Sequence, residues 1–320
     1  NSGFENDSTG IASSNYYWQS NMYDNNGNLI GAGFMPQIDG TINIDDLFYY
    51  TRSPMLFQIM SFVTPYGLFL DLGDNGKTWE FNLTDFTPIM NGKKRLIMNA
   101  GGQWQEEMEI KFIYIVGTPT RDIINIQQLW KVQSRNYIDI LSDYAFEPRS
   151  MLLDNNTDAL KVRTMITGHG QEGEFIPRQH SLYFDNSNYA SWQVWTECSN
   201  NPIYPQGGTW PIDRAGWCPG QATDLREDFI SNFSAGQTHV FDYSINTGSG
   251  DSRYYVSSQL VNYGPPNFQI NAAIKSIISP SLRPEFIREN PICNNPKIEI
   301  ANYGELTLTS LDIEYEMQGG

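Results

Sequence analysis

The chain has 320 residues, a formal net charge of −16 and a hydrophobic content of 40%, with 18 Tyr, 17 Phe and 8 Trp. This length suits two domains of ordinary size with real cores. The negative charge argues against nucleic acid and anionic membranes as partners, because phosphates would be repelled. No apolar run approaches the roughly 20 residues that a transmembrane helix needs.

The first third of the chain predicts short β-strands. Residues 1–15 are polar and are expected to form a flexible lead-in. A hairpin is predicted over Tyr16–Gly33, because Asn26-Gly27 is a tight-turn signal. Further strands are predicted at residues 47–50, 57–63, 68–72, 79–83, 96–99 and 108–116, the last with alternating polar and apolar side chains. We therefore predict an N-terminal β-sandwich over residues 16–120.

The remainder of the chain predicts a second set of strands. Residues 121–158 are interpreted as an inter-domain bridge, with a short helix in INIQQLWKVQ. Strands at residues 160–167, 178–184, 192–195, 238–243 and 254–263 predict a C-terminal β-sandwich over residues 159–283. The fold class is therefore predicted to be all-β.

The stretch Cys198–Gly220 is too rich in Gly and Pro to form a helix, so we interpret it as a long loop. Loops of this length are usually functional or disordered. Its two cysteines, Cys198 and Cys218, are suitably placed for a disulfide, and Trp210 and Trp217 can anchor it, which favours an ordered loop. A disulfide indicates an oxidising compartment, and Cys293 is left over.

Part of this loop, DRAGWCPG (Asp213–Gly220), resembles the matching loop of the peptide-N-glycosidase F family, amidases that remove N-linked glycans from glycoproteins. The segments CSNNP, FVTPYG, TWEFNLTDFTPIMNG, VGTPTRD and VRTMITGHG resemble family segments in the same order. The resemblance covers residues 57–267. It implies two jelly-roll-like antiparallel β-sandwiches side by side, with a cleft between them.

The resemblance also implies site residues. Glu174 falls at the position of the family's second-domain glutamate and is the candidate catalytic residue. Arg214 matches the family's cleft arginine, and Trp104 matches a tryptophan beside the first-domain glutamate. Asp213 and Trp217 are further candidates for substrate binding.

Each of these residues also has a structural interpretation. Asp213 and Arg214 are most simply an ion pair that ties the loop down, which we favour. Glu174 can be a solvated loop acid, and the tryptophans can be packing residues. Three histidines without close spacing indicate no metal site, and no cofactor is expected.

The departures from the family pattern concern its chemistry. Amide hydrolysis needs a carboxylic group and donors for the developing oxyanion. The family's main catalytic aspartate corresponds here to Tyr17, and its first-domain glutamate to Gly102. Acids that remain as substitutes are Asp24, Asp45, Asp46, Glu106 and Glu107.

Two hypotheses follow. The first is a secreted or cell-surface module with a degenerate active site, which binds a glycan, a glycoprotein or a protein partner in an outer-membrane surface assembly, including a lipid-anchored form. The second is a working amidase that has recruited another acid.

The end of the chain, residues 284–320, carries a separate expectation. NPKIEIANYGELTLTSLDIEYEMQGG is interpreted as a strand, an Asn-Tyr-Gly turn and a second strand. This pattern resembles the opening of an immunoglobulin-like module that is common in secreted Bacteroidota proteins. Such a module needs about seven strands, so the native protein is expected to continue.

Overall fold

The computed structural model describes residues 55–67, 70–74, 76–99, 101, 107–283, 286, 290 and 295–316. Before residue 55 it describes residues 11–12, 22–23, 26, 28–31 and 42–43. The chain divides into two compact units, Asn1–Met55 and Leu56–Gly320.

In its described residues, the first unit has two pairs of short strands. β1 (Ile11–Ala12) pairs with β4 (Ile42–Asn43), and β2 (Met22–Tyr23) pairs with β3 (Leu29–Gly31), both antiparallel. The β2–β3 pair confirms the predicted hairpin. Its connection is residues 24–28, longer than the two-residue turn that Asn26-Gly27 indicated, and the register shifts between the two pairs of partners.

The second unit is built from antiparallel strands, which confirms the all-β class. The strands are β5 (Arg121–Asn136), β6 (Arg149–Leu152), β7 (Ala159–His169), β8 (Arg178–Phe184), β9 (Ser187–Val194), β10 (Leu225–Ile230), β11 (Thr238–Ile245), β12 (Arg253–Pro266), β13 (Ala272–Ser279) and β14 (Lys297–Asn302). The helices in the described part of this unit are short: α1 (Tyr137–Leu141), α2 (Gln171–Phe175) and 3-10 helices at Thr84–Ile89 and Cys198–Asn200.

Two four-stranded sheets form a sandwich. One has the order β10-β7-β12-β5 and the other β6-β11-β8-β9. The core lies between them, since alternate side chains along each strand point to the same face. In β11 the alternation is complete: His239, Phe241, Tyr243 and Ile245 are all buried.

β12 is buried on both faces along most of its length. Its outer face is covered by the 3-10 helix Thr84–Ile89, where Phe86 packs with Ile126, Val261 and Tyr263 in a second apolar cluster. A strand covered on both faces loses the alternating pattern, which explains the nearly continuous burial.

The predicted helix in INIQQLWKVQ is wrong. These residues lie in β5, which pairs with β12. Ile126, Leu129 and Trp130 are buried, a spacing that imitates a helix. The cause is a pair of register shifts against β12, around Ser258, that bring two neighbouring residues to the inner face. The range interpreted as a bridge thus contributes β5 and β6 to the two sheets.

Strands predicted between residues 55 and 120 are not found where the structure describes those segments. Residues 57–63, 79–83, 96–99 and 108–116 carry no strand ladder. Phe62 forms an isolated bridge with Ala222, and Ile113, Ile115 and Val116 are exposed. Alternation makes a strand only where a neighbouring strand supplies backbone partners. The limits of the two predicted sandwiches stay predictions.

The tail differs from its prediction. KIEIAN forms β14, but its partner is β13, which lies upstream, and not the run after the Asn-Tyr-Gly turn. Residues 307–316 carry no strand ladder. A hairpin strand pairs with whichever apolar run reaches it, and here Ile274 and Ile277 face Ile300 and Ile298.

Candidate functional site

The loop Cys198–Gly220 is closed by the predicted disulfide. Cys198 and Cys218 are bonded, both are fully buried, and their Cα atoms lie 5.4 Å apart. With a sequence separation of 20 residues, closure of the loop contributes about 3 kcal/mol by chain-entropy estimates. The disulfide makes the carboxyl-terminal part of the loop a fixed platform.

The loop lies against the end of β7. Ala215 O accepts a hydrogen bond from Gly168 N at 2.9 Å, and the Trp217 indole N–H donates to Gly168 O at 3.0 Å. Gly216 has a φ of +76°, and a Cβ there would lie 2.0 Å from Ile166 O. Glycine is therefore required for this approach.

Arg214 is the centre of the loop and is only 1% exposed. Nε donates to Glu174 Oε1 at 2.8 Å, and Nη2 donates to Thr209 O and Oγ1 at 2.9 and 2.8 Å. Nη1 donates to Ile212 O at 2.7 Å and approaches Cys198 Sγ at 4.0 Å. Four of the five N–H bonds of the guanidinium are therefore directed at protein oxygens, and the fifth faces the Cys198 sulfur.

Aromatic rings surround the same guanidinium. Its central carbon lies 4.9 Å from the ring centre of Trp217, 5.3 Å from that of Phe175 and 5.8 Å from that of Tyr66. Such cation–π contacts strengthen as water is excluded. Trp217 is buried, so it supports the arginine instead of facing solvent.

Glu174 is held by the short helix α2. Its side chain is 19% exposed and forms the ion pair with Arg214. Its backbone N–H donates to Gly170 O, and its carbonyl accepts from Ala215 N at 3.0 Å. Across the residues that the structure describes, no hydrogen bond reaches Oε2 of Glu174.

The start of α2 is fixed from another loop. Asp251 Oδ2 accepts from Gln171 N at 2.9 Å, and Oδ1 accepts from Glu172 N at 3.1 Å. These two backbone N–H groups, Glu172 first, hold the pKa of Asp251 below its usual value. The carboxylate acts as the cap that the helix lacks locally, which orients Glu174.

Tyr66, in the TPYG segment, completes the site. Its backbone N–H donates to Gln206 Oε1 at 2.7 Å, and its carbonyl accepts from Gly207 N at 2.6 Å. Burial raises the pKa of the Tyr66 hydroxyl, Arg214 lowers it and Glu174 raises it further, with a raised pKa as the net result. In the sequence this segment stands out only by its resemblance to a family segment, and that resemblance predicts no role for Tyr66.

The predicted site residues are only partly brought together. Glu174, Arg214 and Trp217 lie in one cluster. The ion pair predicted between Asp213 and Arg214 is wrong: Asp213 Oδ1 accepts from Cys198 N at 3.0 Å, while Arg214 takes Glu174. The reason is that neighbouring residues in this extended turn point to opposite sides of the chain.

Other site predictions lie outside the described residues. These are Trp104, Gly102, Tyr17 and Cys293, together with the substitute acids Asp24, Asp45, Asp46 and Glu106. In the described part of the chain, no three His, Cys, Asp or Glu side chains group to hold a metal ion. Within the same residues, no helix has the length and apolar character to cross a bilayer.

Comparison with known proteins shows where the relationship lies. The family model described as Peptide-N-glycosidase F, C terminal, matches residues 136–261. A curated relative, peptide-N(4)-(N-acetyl-beta-D-glucosaminyl)asparagine amidase F of Elizabethkingia miricola, is 27% identical over 228 residues. That match covers 64% of this chain and 64% of the relative.

Solved structures of the same kind of protein are also similar. A peptide-N(4)-(N-acetyl-beta-D-glucosaminyl)asparagine amidase structure shares 29% identity with a TM-score of 0.41, covering 47% of this chain and 55% of the other. PNGase F from Flavobacterium meningosepticum shares 28% identity with a TM-score of 0.39 and the same coverage. The chain therefore spans about half the length of these structures and less than two thirds of the curated relative.

Proposed function

We propose that this chain, a divergent relative of the peptide-N-glycosidase F family, is an extracellular or cell-surface module that binds a glycan or protein partner without cleaving it. The observation that carries the proposal is the saturation of Arg214. Four of its five N–H bonds are used by Glu174, Thr209 and Ile212, the fifth faces the Cys198 sulfur, and the side chain is 1% exposed, so the guanidinium has little access to a developing oxyanion.

The sequence supports the same reading of the chemistry. The family's principal aspartate and first-domain glutamate correspond to Tyr17 and Gly102, neither of which carries a carboxyl group. A groove that keeps one carboxylate and loses its acid partners retains shape and hydrogen-bonding groups. Those properties suffice for binding.

A working amidase is the second candidate, and one observation favours it. Glu174 is oriented by Arg214 and by the cap from Asp251. No hydrogen bond from a described residue reaches its Oε2, so that oxygen is available to a ligand. A positioned carboxylate with one oxygen available can accept a proton from water. The missing group would then be supplied by a substitute acid.

Incubation with a denatured N-glycosylated protein separates the two candidates. We expect no released glycan and no conversion of the glycosylated Asn to Asp, measured by mass spectrometry. Release of glycan would overturn the binding-module proposal. In that event Glu174→Gln should lower the rate by about 100-fold or more, while Glu172→Gln on the same helix serves as the matched control.

If no glycan is released, the partner is identified by binding. A glycan array tests sugar recognition, and a pull-down from outer membranes tests assembly with a protein.

An extracellular or surface location, including a lipid-anchored form, is supported by the disulfide, since disulfides persist in oxidising compartments. Protease treatment of intact cells tests it: a protected protein would contradict surface exposure.

A further inference from the structure

A groove opens along one side of the sandwich and ends next to the loop site, where Thr196 pairs with Arg214 and Asp224 N donates to Gly216 O at 3.1 Å. β10 lies at the end of one sheet and β9 at the end of the other, so two strand edges face each other there. The cavity between them has a volume of about 470 Å³ and is lined by Ile166, Trp192, Val194, Trp195, Asp224 and Arg226. We call it the edge groove. Its volume lies within the ~300–1,000 Å³ of small-molecule sites.

The walls of the edge groove combine apolar and aromatic surfaces. Ile166 and Val194 are buried and form the floor. The Arg226 guanidinium lies 4.2 Å from the Trp192 ring centre and forms two hydrogen bonds with Asp228, at 2.8 and 2.6 Å. Arg226 is therefore neutralised and fixed as part of the wall.

Trp195 is the free platform in this groove. It is half-buried and packs against the core at one side, yet among the described residues no ring or cation stacks on it. Trp192, in contrast, already carries Arg226. An indole face is negatively polarised, so it favours the weakly positive C–H bonds of an apolar ligand face.

Polar groups complete the lining. Asp224 Oδ2 accepts a hydrogen bond from the Thr196 hydroxyl at 2.5 Å, and Oδ1 accepts none from the described residues. Burial raises the pKa of Asp224 and the Thr196 bond lowers it, with a raised pKa as the net result. Among the described strands, none pairs with the outer edges of β9 and β10, so these edges add backbone N–H and C=O groups that need partners.

Two contacts between the strands limit the length of the groove. At one end the Tyr189 hydroxyl donates to Phe229 O at 2.5 Å and accepts from Ser231 N at 3.2 Å. At the other end lies the bond from Thr196 to Asp224. The groove is therefore a bounded site for a short ligand and not a channel for a long chain.

We propose that the edge groove binds a neutral carbohydrate of one or two pyranose rings, stacked on Trp195 and hydrogen-bonded to Asp224 and the strand edges. The ligand must have an apolar face, since Trp195 is flat and unoccupied. It must also donate and accept hydrogen bonds, since it meets a carboxylate and mixed backbone groups. Anionic ligands are disfavoured by Asp224 and by the net charge of −16.

Titration of the full chain with cellobiose, N,N′-diacetylchitobiose and α-1,2-mannobiose tests this proposal. Tryptophan fluorescence and saturation-transfer NMR report binding. We expect at least one neutral disaccharide to bind in the millimolar range or more tightly. Trp195→Ala should weaken it by about tenfold or more. Digalacturonic acid should bind at least about tenfold more weakly at low ionic strength.

Matched variants keep the test decisive. Tyr144→Ala removes an aromatic side chain that is 80% exposed outside the groove and should leave affinity unchanged. If Trp195→Ala unfolds by circular dichroism, the near-isosteric Asp224→Asn should weaken binding by about fivefold. Absence of binding to all three neutral sugars, or affinity unaffected by the groove variants, overturns the proposal. Binding that Glu174→Gln abolishes and the groove variants leave unchanged also overturns it, because the sugar then occupies the loop site.

Discussion

Arg214 illustrates how a buried cation is stabilised by its own loop. Removing water from a guanidinium is expensive, and the expense is offset only when every donor has a partner. Glu174, Thr209 and Ile212 provide those partners, and Trp217 provides a polarisable surface. The residue therefore contributes to stability in addition to any role in binding.

We expect Arg214→Met to destabilise the protein by about 3 kcal/mol or more, because Glu174 and two loop carbonyls lose their partner. Urea unfolding measures the change. Arg149→Met is the control. Arg149 pairs with Glu147 at 2.5 Å, but both side chains are about half exposed, so the free energy of unfolding should fall by no more than about 1 kcal/mol. Equal losses for both variants would contradict the structural role assigned to Arg214.

His180 is a second buried polar residue, inside the sandwich. It is fully buried, its Nδ1 lies 2.6 Å from the Tyr243 hydroxyl, and Nε2 has no partner in the described residues. Burial lowers the pKa of His180 from 6.5 to about 3. The imidazole is therefore neutral in the folded protein at physiological pH.

This shift makes stability depend on acid. Because the folded pKa lies below the unfolded one, the unfolded chain takes up the proton first. The stability from neutral His180 is complete above pH 6.5 and is lost as pH falls towards 3. The loss should reach about 3 kcal/mol between pH 7 and pH 4. In His180→Phe, the free energy of unfolding, measured with urea across that range, should depend correspondingly less on pH, whatever the absolute stability of the variant. An unchanged slope would be inconsistent with a buried neutral histidine.

At the scale of elements, the fit of the stapled loop against β7 depends on Gly216. Gly216 and Gly208 both have positive φ, +76° and +61°, but only Gly216 faces a close backbone oxygen. A Cβ at Gly208 would have nothing within 4 Å. A comparison of alanine substitutions at the two glycines therefore distinguishes the cost of backbone strain from the cost of the steric contact.

Gly208→Ala should cost about 1–2 kcal/mol, the strain of a left-handed conformation. Gly216→Ala should cost at least about 2 kcal/mol more, because the loop must move away from Ile166 O. Thermal unfolding and limited proteolysis of the loop measure both. Similar melting temperatures for the two variants would argue against the close approach.

At the scale of the whole second unit, the segment that includes Thr84–Ile89 is held on the sandwich by a buried charge cluster. Asp85 is paired with Lys161 at 2.9 Å and with Arg163, and it accepts a hydrogen bond from the Tyr263 hydroxyl. Burial alone would raise the pKa of Asp85. The charge of Lys161 and the hydrogen bonds from Tyr263, Lys161 and Arg163 outweigh it, so the pKa lies below its usual value.

Asp85→Asn should destabilise the unit by about 3 kcal/mol or more at neutral pH, since two buried cations lose their principal anion. The stability from Asp85 is present above its unfolded pKa and is lost as pH falls through the folded one, so the variant should approach the parent in acid. Urea unfolding at neutral and acidic pH measures this. Asp312→Asn, at an exposed position, is the control. A difference that stays constant with pH would contradict the ion pairing.

The sequence by itself determined the all-β class, the strands of the second half such as β8 and β11, and the disulfide-closed loop, while Glu174 remains a candidate from the family resemblance. Those features depend on local alternation, turn residues and one specific motif. Tertiary structure alone decided the partner of Arg214, the bulges that make β5 a strand, and the pairing of β14 with β13. These depend on backbone and side chains that meet from distant parts of the chain, 40 positions apart for Glu174 and Arg214 and 18 to 30 for β13 and β14, and a local pattern does not encode that choice.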